Sequence, residues 1–139
     1  MTLVVDASVV VSALIGRDSA ATWSEACLLT GQLSAPHLMP VEVAHVLRRS
    51  VLAGALTADA ASLAYADLLD LRVELYPFSL CSVRVWQLRD TVRSYDAWYV
   101  ALAELLGAPL ATLDGRLARA TGPQCRFRTP ATSRQTAGG

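Results

Sequence analysis

The chain has 139 residues, 53% hydrophobic and 17% charged, with 12 basic side chains against 12 acidic ones. That length carries one ordinary core, and so apolar a composition excludes a disordered chain. Every one of the cations is Arg; the absence of Lys excludes a phosphate-binding P-loop, Schiff-base chemistry and any phosphotransfer site built on an ammonium, and the balanced charge leaves no whole-molecule field to steer a polyanion.

In chain order, Leu3-Val4-Val5 is a β-branched run of the kind buried on both faces of a parallel sheet. Val9 to Ile15 reads as helix, with capping side chains in Asp6-Ala7-Ser8 and a stop at Gly16. Ser19 opens a second helix through Thr30, ended by Gly31, and Leu33-Ser34-Ala35 is a short strand. Pro40 suits a first helical turn, followed by helical spacing over Val41 to Leu52. Thr57 caps a helix to about Leu71, and Val73 to Tyr76 is a strand. A helix from Ser79 or Ser82 to about Val92 precedes another over Ala97 to Leu106, capped by Ser94 or Asp96. Leu110 to Leu113 is a strand, Arg116 to Ala120 a short helix, and Arg126 to Arg128 an edge strand. Residues 129–139, rich in Ala, Thr, Ser and Gly, read as a flexible tail on a single domain over 1–128. Strands separated by helices predict one α/β domain, a mostly parallel sheet with helices on both faces.

Cys27, Cys81 and Cys125 stand far apart and read as free thiols of a reducing compartment. No cationic leader opens the chain, and the longest later apolar stretch, Ala97 to Ala111, carries Glu104 and breaks at Gly107 and Pro109. The expectation is a cytoplasmic protein with no membrane partner.

Ligands of open parallel sheets bind beyond the carboxyl ends of the strands. Asp6 and Asp114 follow directly on strands there, and the helix from Asp96 turns back at Gly107-Ala108-Pro109 so that Asp96 reaches the same edge. Glu42, early in the helix after Pro40, is the fourth acid. Singly, Asp96 reads equally as a cap, Asp114 as a turn residue and Glu42 as a solvated first-turn acid, whereas Asp6 after a buried strand needs a partner. Together they repel, and a divalent cation neutralises them; oxygen-only ligation suits Mg²⁺ or Mn²⁺, which activates water for in-line attack on a phosphodiester.

Three blocks carry a resemblance. Tyr95-Asp96-Ala97-Trp98-Tyr99-Val100-Ala101-Leu102-Ala103-Glu104 with Thr112-Leu113-Asp114-Gly115-Arg116-Leu117, the opening Val4-Val5-Asp6-Ala7-Ser8, and the central Pro40-Val41-Glu42 to Arg49 resemble the motifs of PIN-domain nucleases in order and spacing. Size and single-domain form resemble the VapC toxins of type II toxin–antitoxin pairs. The resemblance implies a Mg²⁺-dependent endoribonuclease, often dimeric, neutralised by a VapB-type antitoxin. It implies an acidic metal site of Asp6, Glu42, Asp96 and Asp114, with Asp6 and Asp96 as the direct ligands and Ser8 and Thr112 as hydroxyls orienting the carboxylates. His45 departs from the family's frequent Asn.

His37 and His45 read as structural or orienting groups, with an i,i+3 contact from His45 to Glu42. Arg116 and Arg119 on one helix face, and Arg89 and Arg93 on another, are candidates to hold flanking RNA phosphates or are ordinary surface. Trp98 and Tyr99, on a strongly apolar helix, read as core or interface packing. Competing readings are a catalytically silent binding module on the same fold and an Asp-based phosphatase or receiver. The phosphatase wants a second Asp at position 8, where Ser8 stands, and both Asp-based readings lack their Lys.

Overall fold

A computed structural model describes residues 1–131. Five strands form one sheet in the order β3-β2-β1-β4-β5, all parallel. They are β1 (Thr2–Val5), β2 (Gln32–Pro36), β3 (Val73–Tyr76), β4 (Leu110–Ala111) and β5 (Phe127–Arg128). The helices are α1 (Ala7–Ile15), α2 (Ser19–Leu28), α3 (Leu38–Leu52), α4 (Ala58–Asp70), α5 (Ser82–Gln87), α6 (Ser94–Leu106) and α7 (Gly115–Ala118), with a 3₁₀ turn at Phe78–Leu80. Leu3, Val4 and Val5 are successive and all buried, so both faces of β1 are covered, as the unbroken apolar run predicts.

The strand order reverses direction between β1 and β4: β2 and β3 lie on one side of β1, β4 and β5 on the other. Such a reversal leaves a crevice beyond the strand ends. Helix α6 packs on β1, β2 and β4 and buries Ala97 and Tyr99 through Ala103, nearly all round, which its lack of a polar face requires. Gly107 ends it with a left-handed C-cap (φ 61°), a conformation open to Gly at little cost, and so turns the chain back into β4.

Several boundaries differ from the sequence expectation. Helix α1 starts at Ala7, ahead of the expected Val9, while β4 ends at Ala111 and α7 at Ala118, short of the expected Leu113 and Ala120. Four further differences bear on the packing. Helix α3 begins two residues ahead of Pro40, which still sits in the first turn, where its missing N–H satisfies nothing. Helix α2 ends at Leu28, with the Thr30 hydroxyl donating to the Cys27 carbonyl (2.7 Å). The helix expected to reach Val92 stops at Gln87; Leu88 and Val92 stay buried, so the apolar spacing persists after the helix has ended. Thr91 instead donates to the Thr121 carbonyl (2.7 Å), fastening this turn to the segment before β5. Neither Ser94 nor Asp96 caps α6: Arg93 occupies the cap position without a side-chain bond, and Asp96 lies inside the first turn. Most of the expected tail, residues 132–139, lies outside the described residues; no described helix is long and apolar enough to cross a membrane.

Candidate active site

Four acids from four elements meet around the β1/β4 crevice. Asp6 directly follows β1 and caps α1, accepting the Ser8 N–H on Oδ1; its Oδ2 accepts from the Thr112 hydroxyl at 2.6 Å. Thr112 in turn accepts the Asp114 N–H at 3.0 Å, and the Ser8 hydroxyl accepts the Leu113 N–H at 3.1 Å. These bonds tie the end of β1 to the loop after β4. Asp114 caps the short α7, taking the N–H groups of Arg116 (2.9 Å) and Leu117 (3.3 Å) on Oδ1 alone. Glu42, on α3, accepts the Tyr99 hydroxyl of α6 on Oε1 at 2.6 Å. Asp96 accepts no hydrogen bond from the described residues; its nearest cation is Arg93, 3.7 Å from Oδ2.

The electrostatics follow from crowding. Burial raises the pKa of Asp6, against the lowering bonds of Thr112 and Ser8, and the charge of Asp114 raises it further. Glu42 is raised first by burial and then by Asp6 and Asp96, with Tyr99 and Arg93 opposing. Asp96 is raised by burial, Asp6 and Asp114, with Arg93 opposing. Burial and the adjacent Glu42 push the Tyr99 phenol far above its ordinary range, so it remains a donor.

These shifts set the sign of a stability profile. The folded chain holds these protons more tightly than the unfolded one, so stability falls as pH rises through a window that opens at the ordinary values, 3.8 for Asp and 4.5 for Glu, and extends upward. In EDTA the melting temperature should therefore be higher near pH 5 than near pH 7.5, measured by calorimetry. A flat or rising profile over that interval would contradict the crowding.

The four acids line a cleft of about 920 Å³ together with Ser8, Tyr95, Tyr99, His45 and Arg49. A second hollow of about 340 Å³ shares Arg93, Asp96 and Asp114 with it and adds Thr91 and Arg116.

The sequence matches the PIN domain family over residues 3–123. The chain belongs to the PIN-domain family. Within it, this PIN domain is 43% identical over 126 residues to ribonuclease VapC1 of Mycobacterium tuberculosis, covering 90% of this chain and 95% of the relative. Two solved structures share the fold. VapBC2 of Rickettsia felis, bound to a DNA fragment from its promoter, has a TM-score of 0.66 at 15% identity over 93% of this chain and 98% of that one. VapC20 of M. tuberculosis, described as a sarcin–ricin loop cleaving toxin, has 0.64 at 17% identity over 84% and 92%.

The PIN domain thus brings together Asp6, Glu42, Asp96 and Asp114, and it places Thr112 on an Asp6 oxygen. Ser8 meets Asp6 through its N–H, while its hydroxyl is engaged by Leu113. Of the four candidate arginines, Arg93 and Arg116 border the acids. Arg89 does not: with α5 ended at Gln87 it folds over the Trp86 ring, 4.7 Å from the centroid, and donates to the Trp86 carbonyl. Arg119 lies against Gly115 and lines neither hollow. Exposed His45 stands on the cleft wall, whereas His37 lines neither hollow.

Sequence reasoning missed Tyr99, Tyr95 and Arg49. A signal was present for two of them: Tyr99 lies one turn from Asp96, and Arg49 lies on the Glu42–His45 face of α3 at i+7.

The donor set fits a hard divalent cation. Glu42 Oε2, Asp114 Oδ2 and both Asp96 oxygens accept no hydrogen bond from the described residues, and one arginine at 3.7 Å is the only ion-pair partner any of the four acids has there. Among the described residues no three acidic, imidazole or thiolate groups stand close enough together to hold an ion by themselves. An ion here would complete its shell with water and substrate oxygens, the habit of Mg²⁺.

Proposed function

We propose that this PIN domain is a Mg²⁺-dependent endoribonuclease, the toxin of a type II toxin–antitoxin pair, acting in the cytoplasm as a homodimer and neutralised by a VapB-type antitoxin. The observation that carries the reading is the convergence of four carboxylates on one cleft with one ion pair among them, Arg93 to Asp96 at 3.7 Å. The ribonuclease name of a relative 43% identical over most of both chains supports the activity, and the VapBC complex among the structures of like fold supports the partner.

Asp6 and Asp96 are the direct metal holders in this reading, with Glu42 and Asp114 beside them; Mn²⁺ substitutes. Bound there, a divalent ion supplies charge neutralisation for the phosphodiester and a more acidic water. The chain's own residues fix the acids. Thr112 and the Ser8 N–H hold both oxygens of Asp6, so its orientation is set by β4 and α1 together. Tyr99 holds one oxygen of Glu42 and leaves the other uncommitted. Arg93 offsets Asp96 without reaching hydrogen-bond distance.

The test is cleavage of total RNA by antitoxin-free protein. Discrete fragments with Mg²⁺ or Mn²⁺, few with Ca²⁺ and none with EDTA are expected, given the octahedral demand of Mg²⁺. Equal cleavage in EDTA would remove the metal from the reading, and no cleavage under any condition would remove the nuclease.

A further inference from the structure

Two hollows meet at Arg93, Asp96 and Asp114, and their linings specify how a nucleic-acid strand lies across the acids. The larger holds all four acids with Arg49 and Arg93, and beside them carries an apolar wall of Val11 of α1 and Val41 and Val46 of α3; at about 920 Å³ it falls within the ~300–1,000 Å³ of organic-ligand pockets. Tyr95, 62% exposed on the first turn of α6, lines it and makes no aromatic pair among the described residues. The smaller hollow is mainly polar and framed by Arg93 and Arg116. Arg116 has no acidic partner among the described residues, and Arg93 has only Asp96 at 3.7 Å. A strand crossing four carboxylates needs cations for its flanking phosphates, which Arg93 and Arg116 supply at the small hollow, and an apolar face for a base, which Tyr95 and the valine wall supply.

Resting on the nuclease reading, we infer that the cleft binds an unpaired nucleotide with its base stacked on Tyr95 beside the valine wall, and that Arg93 and Arg116 hold a phosphate at the neighbouring small hollow. A paired base keeps both faces in the stack and has none to offer Tyr95, so the substrate segment is single-stranded at this point.

The experiment uses two fluorescein-labelled probes of roughly 12 nucleotides, within the span of single-strand sites. One is a mixed-sequence RNA and the other a ribose–phosphate chain of equal length without bases. Binding to the full chain is read by anisotropy with Ca²⁺ in place of Mg²⁺. Tyr95→Ala should weaken binding of the RNA about tenfold, leave the base-free chain unchanged, and be rescued by Tyr95→Phe. Arg116→Gln should weaken both probes alike and lower the salt slope by about 0.7. Equal effects of Tyr95→Ala on both probes, or no effect on either, overturn the base site; an unchanged salt slope overturns the phosphate site. Metal-dependent cleavage with Tyr95→Ala binding RNA as tightly as wild type ends this inference and leaves the nuclease standing. The expected binding pattern without cleavage ends the nuclease and leaves the nucleotide site.

Discussion

Asp96→Asn is expected to reduce RNA cleavage by about 10³-fold or more, the loss of several kcal/mol of charge stabilisation at tenfold per 1.36 kcal/mol. The same substitution should raise the melting temperature of the metal-free chain by about 3 °C. The two effects have one cause. Asp96 is neither the cap of α6 nor a hydrogen-bond acceptor, so the fold loses only a solvent-screened ion pair to exposed Arg93 and a first-turn charge, while Asp6 and Glu42 lose a repulsive neighbour. Cleavage assays beside a thermal melt in EDTA check both halves. A variant that cuts at the wild-type rate, or that melts lower, would show that Asp96 serves the fold instead of the chemistry.

Thr112→Val carries the second large effect, with stability and activity both falling. The hydroxyl is fully buried, donates to Asp6 at 2.6 Å and accepts the Asp114 N–H at 3.0 Å. Valine matches its shape but leaves a buried carboxylate oxygen and an amide unpaired, at a cost of about 2–3 kcal/mol. Removing a bond that lowers the Asp6 pKa raises that pKa further, so the loss should be larger near pH 7 than near pH 5, where the carboxyl is more often neutral. Cleavage should fall about 10–100-fold, the usual effect of releasing a ligand's orienting partner. Urea denaturation at the two pH values measures the first, and Thr112→Ser should restore both. Equal losses at both pH values would mean that Thr112 is packing alone.

Most of this architecture was legible because its signals are local. Val73 to Tyr76, read as a strand after the Thr57-capped helix, forms β3 with those ends. Asp6 and Asp114 were placed at one sheet edge because each directly follows an apolar strand, and the return from Asp96 followed from matched helix and strand lengths. What escaped are relations across elements. Tyr99 sits in a helix apolar all round, so beyond its place one turn after Asp96 little marks its ring from its neighbours; the phenolic tip, meeting a glutamate 57 residues earlier, distinguishes it. Arg89 was misplaced because Leu88 and Val92 keep helical spacing after the backbone has left the helix, and the guanidinium turns to Trp86. Spacing within an element shows which side chains share a face. It does not show what that face meets.

The reversal between β1 and β4 joins segments more than a hundred residues apart in the chain. Asp6 takes its buried bond from a residue 106 positions later, and the central strand gains one of its two neighbours only when Leu110 and Ala111 exist. During synthesis the chain therefore emerges without a working centre. Asp6, Glu42 and Asp96 can leave the ribosome while Thr112 and Asp114 remain inside it, and the pairing that aligns them is among the longest-range in the fold and so among the last to form. A polypeptide interrupted before Thr112 carries three of the acids and lacks the strand that seats the first. The acidic centre is assembled only once the residues through Asp114 have been made.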